Sequence, residues 1–334
     1  MKSLRLLGCS SKTATSSRCR RIRHQLPTDL ATPAMAGTSS RIRSIRDLGS
    51  ENLKSQMVRR LTYMASMVIA APYLFISAGC AVEHQRKHFD WEQSRIVDLT
   101  HSFGADTIVW PTEQDFKLIV QYAEDTSGGY YYASNRVEMP EHGGTHIDAP
   151  IHFSRGKQTL DQIPIERLIG TGVRIDVTEQ CARDWDYRVA VSDFERWEAE
   201  HGRIPNGATV LLNTGFARFW PDRKSYLGTD LRGQEGTRAL HFPGLHPEAA
   251  AWLVDERQVK AVGIDTASID YGQSTKFETH VALLSRNVPV FENLSNLHDL
   301  PVRGFDIIAL PMKIAGGTGG PLRIIAVVSP LPYF

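Results

Sequence analysis

The feature that most constrains this chain is a run of histidines and small residues at 141–152, EHGGTHIDAPIH. Two adjacent glycines and Pro150 oppose a helix here, so the run is predicted to be extended. In an extended chain, alternate side chains share one face. Four polar side chains then project together: His142, His146, Asp148 and His152.

The chemistry of these side chains is that of a metal site. Two imidazoles and a carboxylate are ligands for zinc or manganese, and they leave coordination positions open, as a catalytic metal requires. Histidines that only hydrogen-bond within a polar core are the competing explanation. The alignment of four polar groups beside two glycines favours the metal site.

The order His-x-Gly-Thr-His-x-Asp-x-Pro-x-His resembles the signature of the metal-dependent cyclase family, whose members include bacterial kynurenine formamidase and isatin hydrolase. The resemblance runs from about Ile96 to the C-terminus. It implies that His142, His146 and Asp148 bind one metal ion and that His152 is a catalytic acid or base. It also implies a swivelling β/β/α fold and a homodimer or homotetramer.

The same resemblance implies a second pair of ligands. Formamidase-like members complete a second metal position with a downstream histidine and a glutamate twelve residues later, and His280 and Glu292 have that spacing. We predict that His280 lies on a helix and that Glu292 follows a strand, so that Asp148 can bridge two ions. One or two zinc or manganese ions per subunit are therefore expected.

Three further residues are candidate substrate contacts. Trp110 lies where the family carries a substrate-lining aromatic residue, and Phe153 directly follows the motif. Ser268, with Asp265, belongs to a polar stretch at the end of a predicted strand. Core aromatics and turn formers are the alternatives for these positions. The glycine-rich segment 316–320 precedes a strand rather than a helix, so it is predicted to be a tight or mobile loop and not a phosphate cradle.

The first eighty residues are predicted to be a leader and a signal. Residues 61–79 carry no charge and follow Arg59-Arg60, and Cys80 ends a lipobox-like Ser-Ala-Gly-Cys, which predicts lipidation at Cys80 and a membrane-tethered periplasmic protein. A retained membrane anchor and an organellar transit sequence are the alternatives. The predicted divisions are a disordered or non-native leader (1–56), the signal or anchor (57–80), a tether (81–94) and a hydrolase domain (95–334).

The distribution of charge excludes a nucleic-acid partner for the folded part. Residues 1–56 hold eleven basic and three acidic residues, and since the whole chain has a net charge of +1, the remainder carries −7. A nucleic-acid binder needs a basic patch. The partners expected are a small-molecule substrate and, through the N-terminal segment only, a membrane.

Short β-rich runs alternate with a few helical patterns after Arg95, which predicts a single α/β domain with a mixed sheet. The expected activity is hydrolysis of a C–N bond in a small amide by metal-activated water, formamidase-like, with an isatin-type lactam hydrolase as the alternative. A periplasmic protein that binds metal without turnover is the alternative of another class. No Gly-x-Ser-x-Gly elbow, P-loop or dinucleotide fingerprint occurs in the sequence.

Overall fold

The computed structural model describes residues 92–330. The predicted leader and the predicted signal or anchor, with Cys80, lie outside the described residues, as does the tether up to residue 91. Between residues 92 and 330 there is no helix that is both long and apolar enough to cross a membrane.

Twelve strands and six α-helices make up residues 92–330. The strands are β1 (Arg95–Asp98), β2 (Lys117–Asp125), β3 (Tyr131–Glu138), β4 (His146–Asp148), β5 (Ile169–Asp176), β6 (Arg188–Val189), β7 (Thr209–Asn213), β8 (Gly244–Leu245), β9 (Ala261–Ile264), β10 (Val290–Glu292), β11 (Arg303–Pro311) and β12 (Gly319–Val328). The helices are α1 (Thr178–Arg183), α2 (Val191–His201), α3 (Arg223–Leu227), α4 (Gly233–Arg238), α5 (Pro247–Asp255) and α6 (Glu278–Leu284).

Eight of the strands form one mixed sheet in the order β1-β12-β11-β5-β7-β9-β10-β4. Strand β4 also pairs with β12, so seven of the strands close into a barrel. Strands β5, β7, β9 and β10 run parallel to one another. The β1–β12, β12–β11, β11–β5, β10–β4 and β4–β12 pairs are antiparallel. The predicted α/β class and mixed sheet are confirmed.

Two clusters of buried apolar side chains pack against the two faces of the barrel strands. Val210 and Leu212 of β7 pack in one buried cluster with Phe194 of α2 and Leu253 of α5. Leu211, between them in sequence, belongs to a second cluster that includes strand residues from around the barrel. Because side chains alternate along a strand, one cluster fills the barrel and the other covers its outer face.

Strand β4 follows the same alternation, and this orients the motif. Ile147 is fully buried in the cluster inside the barrel, together with Phe291 of β10. His146 and Asp148 therefore point to the opposite, outer face, toward helix α6. The apolar residue in the middle of the motif thus fixes the direction of two of the predicted metal ligands.

The loop after β1 is joined to the motif through His101. The backbone N–H of His101 donates to Thr145 Oγ1 (2.9 Å), and the Thr145 hydroxyl donates to the carbonyl of Asn293 (2.6 Å). The His101 ring stacks on Trp220 with 4.2 Å between centroids. Burial lowers the pKa of the His101 imidazole from 6.5 to about 4, so the ring is neutral in the folded protein at pH 7.

We expect His101 to make the fold sensitive to acid. The unfolded chain binds this proton near pH 6.5 and the folded protein only near pH 4, so the stability that the neutral ring contributes is present above pH 6.5 and is lost as the pH falls toward 4. Between pH 7 and 5, the free energy of unfolding of the wild type should fall by on the order of 1–2 kcal/mol more than that of His101→Phe. Urea unfolding at both pH values measures this difference, and parallel curves for the two proteins would contradict it.

Candidate metal centre and active site

The motif is not the continuous strand that its alternation predicts. Only His146–Asp148 forms a strand, because Gly144 has a φ of +62° and Pro150–His152 form a 3₁₀ helix. Glycine adopts the left-handed conformation without strain, and proline favours the first position of a helical turn. His142 and His152 therefore reach the outer face of β4 through turns at either end of the strand and not through alternation.

The five predicted metal ligands lie together. His142, His146 and Asp148 form one group whose ligand atoms all lie within 4.8 Å of one another, and Asp148, His280 and Glu292 form a second such group. Strand pairing produces this arrangement, since β4 lies beside β10 with His146 opposite Glu292. Asp148 belongs to both groups, which is the position that a bridging carboxylate needs.

Helix α6 presents His280 to the two carboxylates. Asp270 accepts hydrogen bonds from the backbone N–H groups of Thr279 and His280 (both 3.1 Å) and lies 2.7 Å from His280 Nδ1. Because a carboxylate only accepts, Nδ1 carries a proton that it donates to Asp270, and Nε2 is the nitrogen directed at the other two carboxylates. That Nε2 lies 3.0 Å from Asp148 Oδ2 and 3.2 Å from Glu292 Oε1. Our sequence analysis missed Asp270, although it lies only two residues beyond Ser268.

His146 supplies the clearest sign that a cation belongs here. Its Nδ1 lies 2.8 Å from the carbonyl of Gly144, so this nitrogen carries the proton. Its Nε2 is buried 3.2 Å from Asp148 Oδ1 and 3.4 Å from Glu292 Oε2, yet among the described residues it has no hydrogen-bond partner. Buried polar atoms are normally satisfied. A divalent ion would satisfy this nitrogen and both carboxylates, and the nitrogen and oxygen donor set suits zinc or manganese.

The electrostatics of the group are those of an anionic site. Burial lowers the pKa of His280, but the carboxylates of Asp148, Asp270 and Glu292 outweigh it and raise that pKa well above its ordinary value. Burial and the negative charge of Asp148 both raise the pKa of Glu292. For Asp148, burial raises the pKa, yet the neighbouring histidines hold it well below its usual range. Positive charge is therefore favoured at this place.

His152 lies beside the metal ligands without joining either ligand group. Its ring stacks on that of His142 with 3.8 Å between centroids, and it meets the rings of Phe153 at 4.5 Å and His280 at 6.1 Å. Burial lowers the pKa of the His152 imidazole to about 4. The structure thus places His152 beside the five clustered residues and in neither ligand group.

Aromatic rings wall the same space. Phe153 lies 4.4 Å from the His280 ring and 5.1 Å from Phe277, and Trp110 lies 6.5 Å from Phe277, all between centroids. Phe277 was not among the predicted substrate contacts, although it lies only three residues before His280.

Ser268 and Asp265 have other surroundings. The hydroxyl of Ser268 accepts from the backbone N–H of Asp270 (3.3 Å), so this buried side chain supports the turn that carries Asp270. Asp265 accepts from the backbone N–H groups of Thr214 and Gly215, and it lines a separate cavity of about 420 Å³.

The chain is similar in sequence and in fold to known hydrolases. Over 247 residues the chain is 32% identical to the isatin hydrolase of Roseibium aggregatum, covering 70% of this chain and 91% of that protein. It is 27% identical over 243 residues to the kynurenine formamidase of Bacillus mycoides, covering 71% and 99%. Isatin hydrolase A from Ralstonia solanacearum superimposes with a TM-score of 0.65 at 32% identity, covering 71% of this chain and 93% of that one.

The family model described as "Putative cyclase" matches residues 97–271, which include the whole motif and the Asp270 turn. The match begins in β1 and ends before helix α6, so it covers four of the seven barrel strands, β4, β5, β7 and β9. The chain belongs to the cyclase family of metal-dependent hydrolases.

Proposed function

We propose that this protein is a divalent-metal-dependent amidohydrolase and that it opens a small cyclic amide, a lactam of the isatin type. The observation that carries the proposal is the convergence of three imidazoles on two buried carboxylates, beside a further histidine and an aromatic wall. Isatin hydrolases are the relatives with the higher sequence identity and with TM-scores of 0.64–0.65. Hydrolysis of such a lactam adds one water across the C–N bond and gives a carboxylate and an amine.

The residues proposed to hold the metal are the five of the two ligand groups. Zinc and manganese both suit this donor set, and Asp148 is placed to serve one ion or to bridge two. When bound, the ion supplies a Lewis acid and lowers the pKa of a coordinated water from about 16 towards 7. The side chain of His142 is partly exposed, whereas the other four proposed ligands are almost fully buried. A substrate therefore approaches the site from the side of His142 and His152.

His152 is proposed to carry the proton. It lies against His142 and 6.1 Å from the His280 ring, so it is close to the reacting groups while its own ring stays outside both ligand groups. An imidazole can both accept a proton from water and return it to a leaving nitrogen. In this role His152 moves a proton between the attacking water and the amide nitrogen as the C–N bond breaks.

The aromatic wall supports a planar substrate. Phe153, Phe277 and Trp110 form a line of rings with neighbouring centroids 5.1 and 6.5 Å apart, on the side of the site near His280. Flat rings that pack in offset or tilted geometry offer large apolar contact areas to another ring. A bicyclic aromatic lactam presents such a ring next to its reactive carbonyl.

A second candidate is an arylformamidase, which cleaves an open-chain formamide. The kynurenine formamidase of Bacillus mycoides supports it, because the match covers 99% of that protein. The histidine and the glutamate twelve residues apart that the family resemblance implies for formamidase-like members are present here as His280 and Glu292. The aromatic wall serves either substrate.

Substrate turnover decides between these candidates. The full-length protein, loaded with zinc or with manganese, is assayed on isatin, formylkynurenine and a simple lactone. Ring opening of isatin at the highest kcat/KM is the expected result. Cleavage of formylkynurenine alone would favour the formamidase, and a protein that holds metal but hydrolyses none of the three would be a metal-binding protein without turnover.

A further inference from the structure

The glycine-rich segment 316–320 lies directly on the motif: residues 316–318 form a tight loop, and Gly319 and Gly320 begin strand β12. The backbone N–H of Ala149 donates to the carbonyl of Thr318 (2.9 Å), and that of Leu160 donates to the carbonyl of Gly317 (2.9 Å). Gly319, the first residue of β12, is paired with Asp148. This segment matches no known phosphate-binding motif. Its backbone is hydrogen-bonded to the strand that carries two of the proposed metal ligands and to the residues that follow it.

Thr318 holds the ring nitrogen of His142 that faces away from Asp148. Its hydroxyl lies 2.5 Å from Glu141 Oε2, and its backbone N–H donates to the same oxygen (3.0 Å). A carboxylate only accepts, so the single hydroxyl hydrogen of Thr318 is donated to Glu141. His142 Nε2, 2.9 Å from that hydroxyl oxygen, must then be the donor. The other ring nitrogen, Nδ1, lies 2.7 Å from Asp148 Oδ1 and is therefore the nitrogen that faces the proposed metal position.

Gly319 provides the space that the His142 ring occupies. A Cβ atom at Gly319 would lie 2.5 Å from His142 Cε1 and 2.6 Å from the carbonyl oxygen of Ile147. Neither distance is compatible with the present positions of these atoms, and the second contact is with backbone that cannot move aside. Glycine at this position therefore lets the loop close over the ring while Thr318 binds its far nitrogen.

We propose that residues 316–320 form a clamp that controls occupancy of one of two metal positions, the one that includes His142. The inference rests on the proposed function, because it requires a metal at this site. The other position has its own support: Asp270 holds His280, and the backbone N–H of Ile269 donates to Glu292 Oε1 (2.7 Å). Since the two sets of supporting contacts share no residue, disturbing the clamp should weaken one position and spare the other. Thr318 acts as a positioning residue.

The test compares Thr318→Val, which removes only the hydroxyl, with Thr318→Ser, which keeps it. Thr159→Val is a matched control, because Thr159 also donates its hydroxyl to a carboxylate, that of Asp161 (2.6 Å), at the same loop but touches no histidine. Zinc is titrated into full-length protein with ¹⁵N-labelled histidine in a chelator buffer. The ring resonances of His142 and His280 then report a Kd for each position separately.

We expect Thr318→Val to raise the Kd reported by His142 about 10–100-fold, the usual cost of losing a hydrogen bond to a metal ligand. The Kd reported by His280 should stay within about twofold, as for independent sites. Thr318→Ser and Thr159→Val should resemble the wild type. In metal-free wild-type protein, the Nε2–H of His142 should give a protected cross-peak that Thr318→Val loses.

Three results would overturn the clamp while leaving the proposed function intact. They are an unchanged Kd at His142 in Thr318→Val, an equal rise at both histidines, and failure of Thr318→Ser to restore binding. If Thr318→Val does not fold, Thr318→Ala also removes the hydroxyl and should show the same selective loss at His142. A wild-type protein that binds no zinc at all would instead overturn the proposed function.

Discussion

Replacing His146 with alanine should remove most of the bound metal and lower turnover by at least about 10²–10³-fold, the loss seen when a single charge-stabilising group is deleted. His146 is almost fully buried, and its Nε2 lies between Asp148 and Glu292 without a hydrogen-bond partner among the described residues. The variant leaves a gap in the ligand set that a water can fill only weakly.

Elemental analysis of the purified variant and its kcat measure this loss. His241→Ala is the matched control, because His241 also pairs with a carboxylate (Asp186, 2.7 Å) but is exposed and lies outside both ligand groups. The control should keep wild-type metal content and turnover. Full metal retention in His146→Ala would contradict the assignment of this residue as a ligand.

Replacing His152 with alanine should leave the metal bound and reduce kcat by roughly 10²–10⁴-fold, the usual share of general acid–base catalysis. The ring of His152 contacts His142, Phe153 and His280 but belongs to neither ligand group. The five groups that would hold the ion are therefore unchanged in this variant. What is removed is the imidazole proposed to move a proton between water and the leaving nitrogen.

The metal content, kcat and KM of His152→Ala are all measured and compared with those of the wild type. A loss of metal equal to that of His146→Ala would make His152 a ligand and would contradict the proton-transfer role. A rise in KM with an unchanged kcat would assign it to substrate binding instead. The expected pattern is a wild-type metal content with the loss confined to kcat.

The identities of the clustered residues could be predicted from the sequence because they depend on residue type and spacing. Three histidines and an aspartate within eleven residues indicate a metal site before any fold is known. The spacing between His280 and Glu292 follows the family pattern, and the structure places both beside Asp148. The α/β class could likewise be predicted, since short buried runs such as Thr209–Asn213 and Ala261–Ile264 are legible as strands from local pattern alone.

Local pattern failed where tertiary contacts decide conformation. Strand β3 was not predicted, because most of its residues are exposed and it shows no clean alternation of polar and apolar side chains. Ser192-Asp-Phe-Glu195 has the pattern of a capping box, which predicts a helix that begins after Ser192. Helix α2 instead begins two residues earlier, at Val191, and Asp193 caps it by accepting from the backbone N–H of Ala190 (2.8 Å).

The sequence alone determined which side chains can bind a metal and carry a proton, because that chemistry is a property of the residues. Only the tertiary structure decided how they are held. Closure of the barrel by β4 and β12 brings Thr318 to His142 from 176 positions away, and the turn before α6 brings Asp270 to His280. Such contacts depend on strand register and barrel closure, which set distances between remote residues and leave no periodic trace in the local sequence.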